Sequence, residues 1–186
     1  MKRFAVLVCL ILLLTGCSGT QKEMDWAMSL RTKLLGSREC TFTAEITADY
    51  GDKTYQFSMD CVSDSEGTLR FSVLRPDTIE GITGMISEEN GALTFDDVVL
   101  CFELLADGQV TPVSAPWILI HTLRGGYVTA CVLEEDLLHL TIDDSYQEDA
   151  LRLEIWLDEG DAPVHTDIIW KNRRILSMNI TNFQIL

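Results

Sequence analysis

Three histidines are the residues most able to do acid–base or metal chemistry in this chain of 186 residues. His121, His139 and His165 fall in three different predicted elements, none with a companion at metal-ligand or triad spacing. The sequence holds no G-x-S-x-G, H-E-x-x-H, phosphate-binding loop or C-x-x-C. The acidic run Asp143–Asp149 lacks the alternate acidic positions and central glycine of a calcium loop, so a turn surface is expected there. Trp26, Trp117, Trp156 and Trp170 read as core residues rather than ligand platforms. These readings point away from an enzyme and imply neither a metal nor a cofactor.

The cysteines suggest other chemistry. Lys2 and Arg3 precede an unbroken apolar run of eleven residues, Phe4 to Leu14. A bilayer core of ~30 Å needs about 20 residues, so this run is too short to span and reads as an export leader. It ends on Leu14-Thr15-Gly16-Cys17, which matches the lipobox of bacterial lipoproteins, where the thiol after the cut receives a diacylglyceryl group. Two acyl chains anchor stably where one is marginal, at ~0.8 kcal/mol per buried CH2. Cys17 is therefore the expected lipidation site, residues 1–16 the leader, and residues 17–21 the anchor and tether. The expected location is the extracytoplasmic face of a bacterial membrane. Ser18 lacks the retention aspartate used in some two-membrane bacteria, which leaves either envelope type open.

Removal of the leader leaves 170 of the 186 residues, a length that favours one domain, residues 22–186. The formal net charge of −15 becomes −17 once Lys2 and Arg3 are lost. Such a surface repels nucleic acid and anionic headgroups. The acidic residues are scattered between apolar stretches, as on a solvated outer face.

A first helix is expected over Lys22–Leu35, with Met24, Ala27, Met28, Leu30, Leu34 and Leu35 at helical spacing and Gly36 as its stop. The period then changes to two. Cys40, Phe42, Ala44, Ile46, Ala48 and Tyr50 alternate with polar residues, and Tyr55, Phe57, Met59 and Cys61 form the apolar side of a partner strand. A four-residue loop over Asp49–Asp52 would set Ala48 opposite Lys53 and Cys40 opposite Cys61; a two-residue Gly51-Asp52 loop would leave the thiols diagonal. The first register makes Cys40 and Cys61 a disulfide candidate in an exported domain, while Cys101 and Cys131 have no such argument. Further short strands run to Leu104, with a turn at Glu89-Asn90-Gly91. Ser114 as N-cap, Pro116 in the first turn and Gly125-Gly126 at the end bound a second, almost wholly apolar helix. Five more strands follow over 127–133, 137–142, 151–157, 164–171 and 175–185. The expected class is α+β, a curved antiparallel sheet of about ten strands that stays open and covers one or two helices.

This order of elements, with "LRFSVLRPDTIEGITGMI" after the first hairpin and "DAPVHTDIIWKNRRILSMNITNF" in the closing strands, resembles the LolA-like half-barrel family, the periplasmic lipoprotein carrier and its lipoprotein relatives. The resemblance implies a concave apolar cavity that holds acyl chains or another hydrophobic element. The inward positions Phe42, Ile46, Phe57, Met59 and Phe71, with Trp117 and Ile120 from the late helix, are the expected lining. The soluble carrier has no lipid anchor, whereas this chain has the Cys17 signal, so an anchored binder is the closer analogy. The leading expectation is a non-catalytic lipoprotein that binds a lipid or acylated peptide. The alternative is a structural partner or scaffold for a cell-envelope enzyme, its cavity filled by its own helices.

Overall fold

The computed structural model describes residues 21–186, apart from 52, 89, 96, 97, 103, 104, 107 and 108. The expected leader and Cys17 lie outside the described residues, as does most of the expected tether. Helix α1 (Gln21–Gly36) runs one residue beyond the expected span at each end and buries Ala27, Leu30 and Leu34 on one side. The alternating stretch that follows becomes β1 (Glu39–Asp49), whose burial switches strictly between the two faces. It is followed by β2 (Thr54–Asp64), β3 (Leu69–Arg75), β4 (Thr83–Ile86), β5 (Gly91–Phe95) and β6 (Val98–Phe102). A small ribbon of β7 (Leu105–Ala106) and β8 (Gln109–Val110) leads through a 3-10 turn, Pro112–Ser114, into α2 (Ala115–Gly125). The chain ends in β9 (Tyr127–Glu134), β10 (Leu137–Asp143), β11 (Arg152–Leu157), β12 (Pro163–Trp170) and β13 (Arg173–Ile185).

Eleven strands form one antiparallel sheet, in the order β6-β5-β4-β3-β2-β1-β13-β12-β11-β10-β9. Each half is a meander. The halves join where β1 pairs with β13, and β6 and β9 remain as edges, so the barrel is open. The sheet has one strand more than the expected ten, and the short β7–β8 ribbon before α2 stands apart from it as a second, two-stranded sheet. A sheet this wide twists and coils, and its concave side receives both helices. Helix α2 buries Trp117, Ile118, Leu119, Ile120 and Leu123 there.

Polar contacts fix the helices in place. Arg31 of α1 donates from Nε to Leu123 O and from Nη2 to Gly126 O, both at 2.8 Å. It thereby satisfies carbonyls at the C-terminal end of α2, where a cation is favoured. Trp26 and Lys33 of α1 both reach Asp161 in the β11–β12 turn. On the other side, Trp117 Nε1 donates to Gly67 O at 2.9 Å and Arg124 Nη1 to Asp64 O at 2.8 Å, tying α2 to the β2–β3 turn. A glycine is required at Gly84, since a Cβ there would lie 2.6 Å from Ala92 O and collide with the Phe71 ring.

Two expectations are corrected. In the first hairpin Ala48 faces Tyr55, not Lys53, so Cys40 pairs with Ser63 and Cys61 with Phe42. The tighter turn, closed by Tyr50 N–H to Lys53 O at 3.0 Å, leaves the thiols diagonal. Diagonal neighbours sit ~7–8 Å apart, beyond the reach of a disulfide, and both cysteines are free and buried. Burial pushes Cys40 up to about 11 and Cys61 well above the usual thiol value. Ser114 does not cap α2 through its side chain; its Oγ donates back to Thr111 O at 2.6 Å, because the preceding 3-10 turn already occupies the cap position.

Candidate functional site

The expected lining residues are brought together, but around packed helices. Phe42, Ile46, Met59 and Phe71 all point to the concave side of β1–β3 and are at most 4 % exposed. Trp117 and Ile120 meet them from α2. Phe57, opposite Ile46, is half-buried near the end of the hairpin. Cys17, the lipidation candidate, lies outside the described residues.

An apolar cleft opens at the mouth of the half-barrel. Tyr50, Val110, Trp170 and Ile175 line a cleft of about 240 Å³ between the β1–β2 turn, the end of β8 and the β12–β13 turn. Tyr50 Oη donates to Val110 O at 3.2 Å, closing one side. Lys171 and Arg173 stand at the rim, Lys171 Nζ lying 4.1 Å from the Trp170 ring centroid and Arg173 Nη2 donating to Asp49 O at 3.2 Å.

The wet, convex face carries a network that the sequence reading missed. Strand pairing aligns His139, Trp156, His165 and Asn179 in one transverse row. His139 lies between two carboxylates, with Nδ1 3.1 Å from Glu134 and Nε2 2.6 Å from Glu154, and stacks parallel on Trp156 at 4.5 Å. Thr141 Oγ1 donates to Glu154 at 2.8 Å, and Trp156 Nε1 to Glu134 at 3.2 Å. The Trp156 and His139 hydrogen bonds hold the Glu134 carboxyl below its usual range.

His165 has Nε2 3.2 Å from Asp167 and Nδ1 2.7 Å from Asn179 Oδ1. Both nitrogens meet acceptors, which favours the protonated ring; Asp167 contributes most to raising the His165 pKa. Partial burial alone would raise Asp167, but hydrogen bonds from His165, Ser177 and Arg174 outweigh it and bring the carboxyl down to about 2. Ser177 Oγ is 3.5 Å from His165 Nε2, a geometry that superficially suggests a nucleophile and base. The same Nε2 faces an acceptor-only carboxylate, so it carries a proton and has no lone pair to activate Ser177. The sequence signal for this network is the i, i+2 repetition of polar residues on wet strand faces: His139/Thr141, Glu154/Trp156, His165/Asp167 and Ser177/Asn179. Among the described residues no group of three or more His, Cys, Asp or Glu is arranged to hold a metal ion, and no helix is long and apolar enough to cross a membrane.

No protein-family model and no curated protein matches the sequence. Among solved structures, the chain is similar to a putative outer membrane lipoprotein-sorting protein domain from Vibrio parahaemolyticus, at 10% identity and TM-score 0.49, covering 89% of this chain and 92% of that one. A LolA superfamily protein from Nitrosomonas europaea aligns at 8% identity and TM-score 0.46 over 86% of this chain and 93% of its own. The GerS lipoprotein complex with the CwlD amidase from Clostridioides difficile aligns at 9% identity and TM-score 0.43, covering 93% of this chain and 100% of the matched chain. The likeness is one of fold. An N-terminal helix, an open antiparallel sheet and a second helix seated in its concavity make an open half-barrel, the architecture the sequence resemblance implies.

Proposed function

We propose that this protein is a membrane-tethered, non-catalytic lipoprotein that acts as a structural partner of another cell-envelope protein, with Cys17 carrying the lipid. The observation that supports this reading best is the occupied concavity. Five large side chains of α2, Trp117 through Ile120 and Leu123, are buried against the sheet. At ~1.5–3 kcal/mol each, displacing them costs roughly 8–15 kcal/mol, comparable to the ~5–15 kcal/mol that holds a whole domain together. A small hydrophobic ligand cannot offset that. Surface contact remains, and both sheet edges offer it: β6 exposes Val99 and Leu100, and β9 exposes Val132 and Leu133. Edges of this kind present unpaired backbone groups for strand addition.

The mouth cleft favours a second reading, in which a lipid or acylated peptide enters beside Tyr50 and Trp170. If it displaced α2, it would lie against Phe42, Ile46, Phe57, Met59 and Phe71. Only a long acyl chain meets the cost, since about 16 methylenes return roughly 13 kcal/mol.

Native mass spectrometry of Cys17→Ser protein, recovered without detergent, separates the readings. The first expects a single species at the mass of the bare chain. A bound lipid that leaves on collisional activation overturns it in favour of the second. Anchoring itself is checked by metabolic labelling with an alkyne fatty acid, which is expected to mark the natural chain and not Cys17→Ser.

A further inference from the structure

We propose that the convex face carries a binding groove for a short peptide with free ammonium and carboxylate groups, independent of whatever fills the concavity. The register creates the groove. Between Ser58 and Met59 the pairing of β2 with β3 slips, so that Met59 faces Val73 while Ser58 faces Arg75. This bulge leaves Leu74 without a partner on β2, and Arg75, Pro76 and Asp77 border the depression beyond it. Ser58, small and buried, becomes the floor, and Glu45 of β1 stands on its other side. With Gln56 and Asn179 these residues line an open depression of about 740 Å³, within the ~300–1,000 Å³ typical of small-ligand sites.

The groove carries charges of both signs, and among the described residues none of them is paired. Glu45 and Arg75 flank the same serine, two strand spacings from each other, or about 10 Å at ~4.8 Å per spacing. Among the described residues neither Glu45, Arg75 nor Asp77 makes an ion pair or side-chain hydrogen bond. A peptide advances ~3.3–3.6 Å per residue, so two or three residues bridge the distance. Its carboxylate suits the planar fork of Arg75, and its ammonium groups suit Glu45 and Asp77. Two carboxylates against one guanidinium leave the groove net negative, which selects a peptide with one more positive than negative group. The Gln56 amide can meet backbone N–H and C=O groups between the ends, and Asn179, whose Oδ1 faces His165, keeps its Nδ2–H for a C=O.

The test uses Ala-Lys-Ala with free termini as the probe, titrated by saturation-transfer NMR against the full chain in lipid nanodiscs. Three related peptides accompany it: the C-terminal amide, the fully acetylated form and the form blocked at both ends. The free peptide is expected to bind, and removal of either charge type to weaken it about three- to fivefold, the scale of exposed ion pairs. Arg75→Gln is expected to erase the preference for the free carboxylate over the amide, while the double variant Glu45→Gln/Asp77→Asn erases the preference for free ammonium over acetyl. Circular dichroism of each variant confirms that the fold is kept. No binding of the free peptide up to ~10 mM, or both preferences intact in the variants, overturns the proposal.

Discussion

Ile120→Ala separates a packed interior from a ligand chamber, because Ile120 is 2 % exposed and sits on α2 where the second helix meets the sheet. The substitution removes three carbons. At ~0.8 kcal/mol each the lost transfer free energy is about 2.4 kcal/mol, and a cavity that fails to collapse raises the total toward ~4 kcal/mol, inside the ~2–5 kcal/mol range of such deletions. Collapse is resisted on both sides. Arg31 and Trp117 fasten the two ends of α2 to α1 and to the β2–β3 turn, so the helix cannot slide to close the gap. For a domain of this length each kcal/mol moves the melting point by ~2–4 °C, which gives an expected drop of roughly 5–15 °C. Urea unfolding followed by tryptophan fluorescence and circular dichroism reads the same loss as a lower midpoint with an unchanged slope. A chamber built to accept an exchangeable ligand tolerates the deletion, since its walls are already incompletely packed. A loss below ~1 kcal/mol with the slope preserved would refute the filled-concavity reasoning and return the ligand reading to first place.

Arg31→Met keeps the aliphatic stem but removes two hydrogen bonds to α2 carbonyls; a loss of about 2 kcal/mol in the same unfolding assay is expected, and no change would mean that solvent satisfies those carbonyls equally well. Stability should depend on pH through His165 and Asp167. The raised His165 pKa contributes stability that is complete below its ordinary ~6.5 and fades as pH rises through the folded value. The lowered Asp167 pKa contributes stability present above its ordinary ~3.9 and lost as pH falls through about 2. Melting points across the pH range are therefore expected to fall on the alkaline side of ~6.5, and His165→Gln should flatten that fall; an unchanged profile in the variant counts against the pair. In the native fold, iodoacetamide should modify exposed Cys101 first and spare buried Cys40, Cys61 and Cys131 until unfolding, as peptide mapping would show.

Period-two alternation in 39–49 and in 176–180 is enough to say which side chains point inward, because successive residues of a strand must face opposite ways whatever lies beside them. Helical spacing likewise marks the apolar side of α1, and end signals with a nearly unbroken apolar run mark α2; the expected leader and the Cys17 signal are read from the sequence alone. Register is different. Both turn lengths at 49–53 keep the apolar sets on one face, so alternation could not choose between them; the closed turn did, and it parted Cys40 from Cys61. The transverse row from His139 to Asn179, and its continuation through Glu45 to Arg75, exists only because β13 returns to pair with β1 across more than half the chain, a meeting no local pattern encodes. The bulge at Ser58 that opens the groove leaves the sequence period almost undisturbed. An apolar helix must be buried, but burial against its own sheet and burial around a ligand demand the same residues; tertiary packing alone put α2 inside the concavity, because the anchoring hydrogen bonds of Arg31, Trp117 and Arg124 come from distant turns and helices.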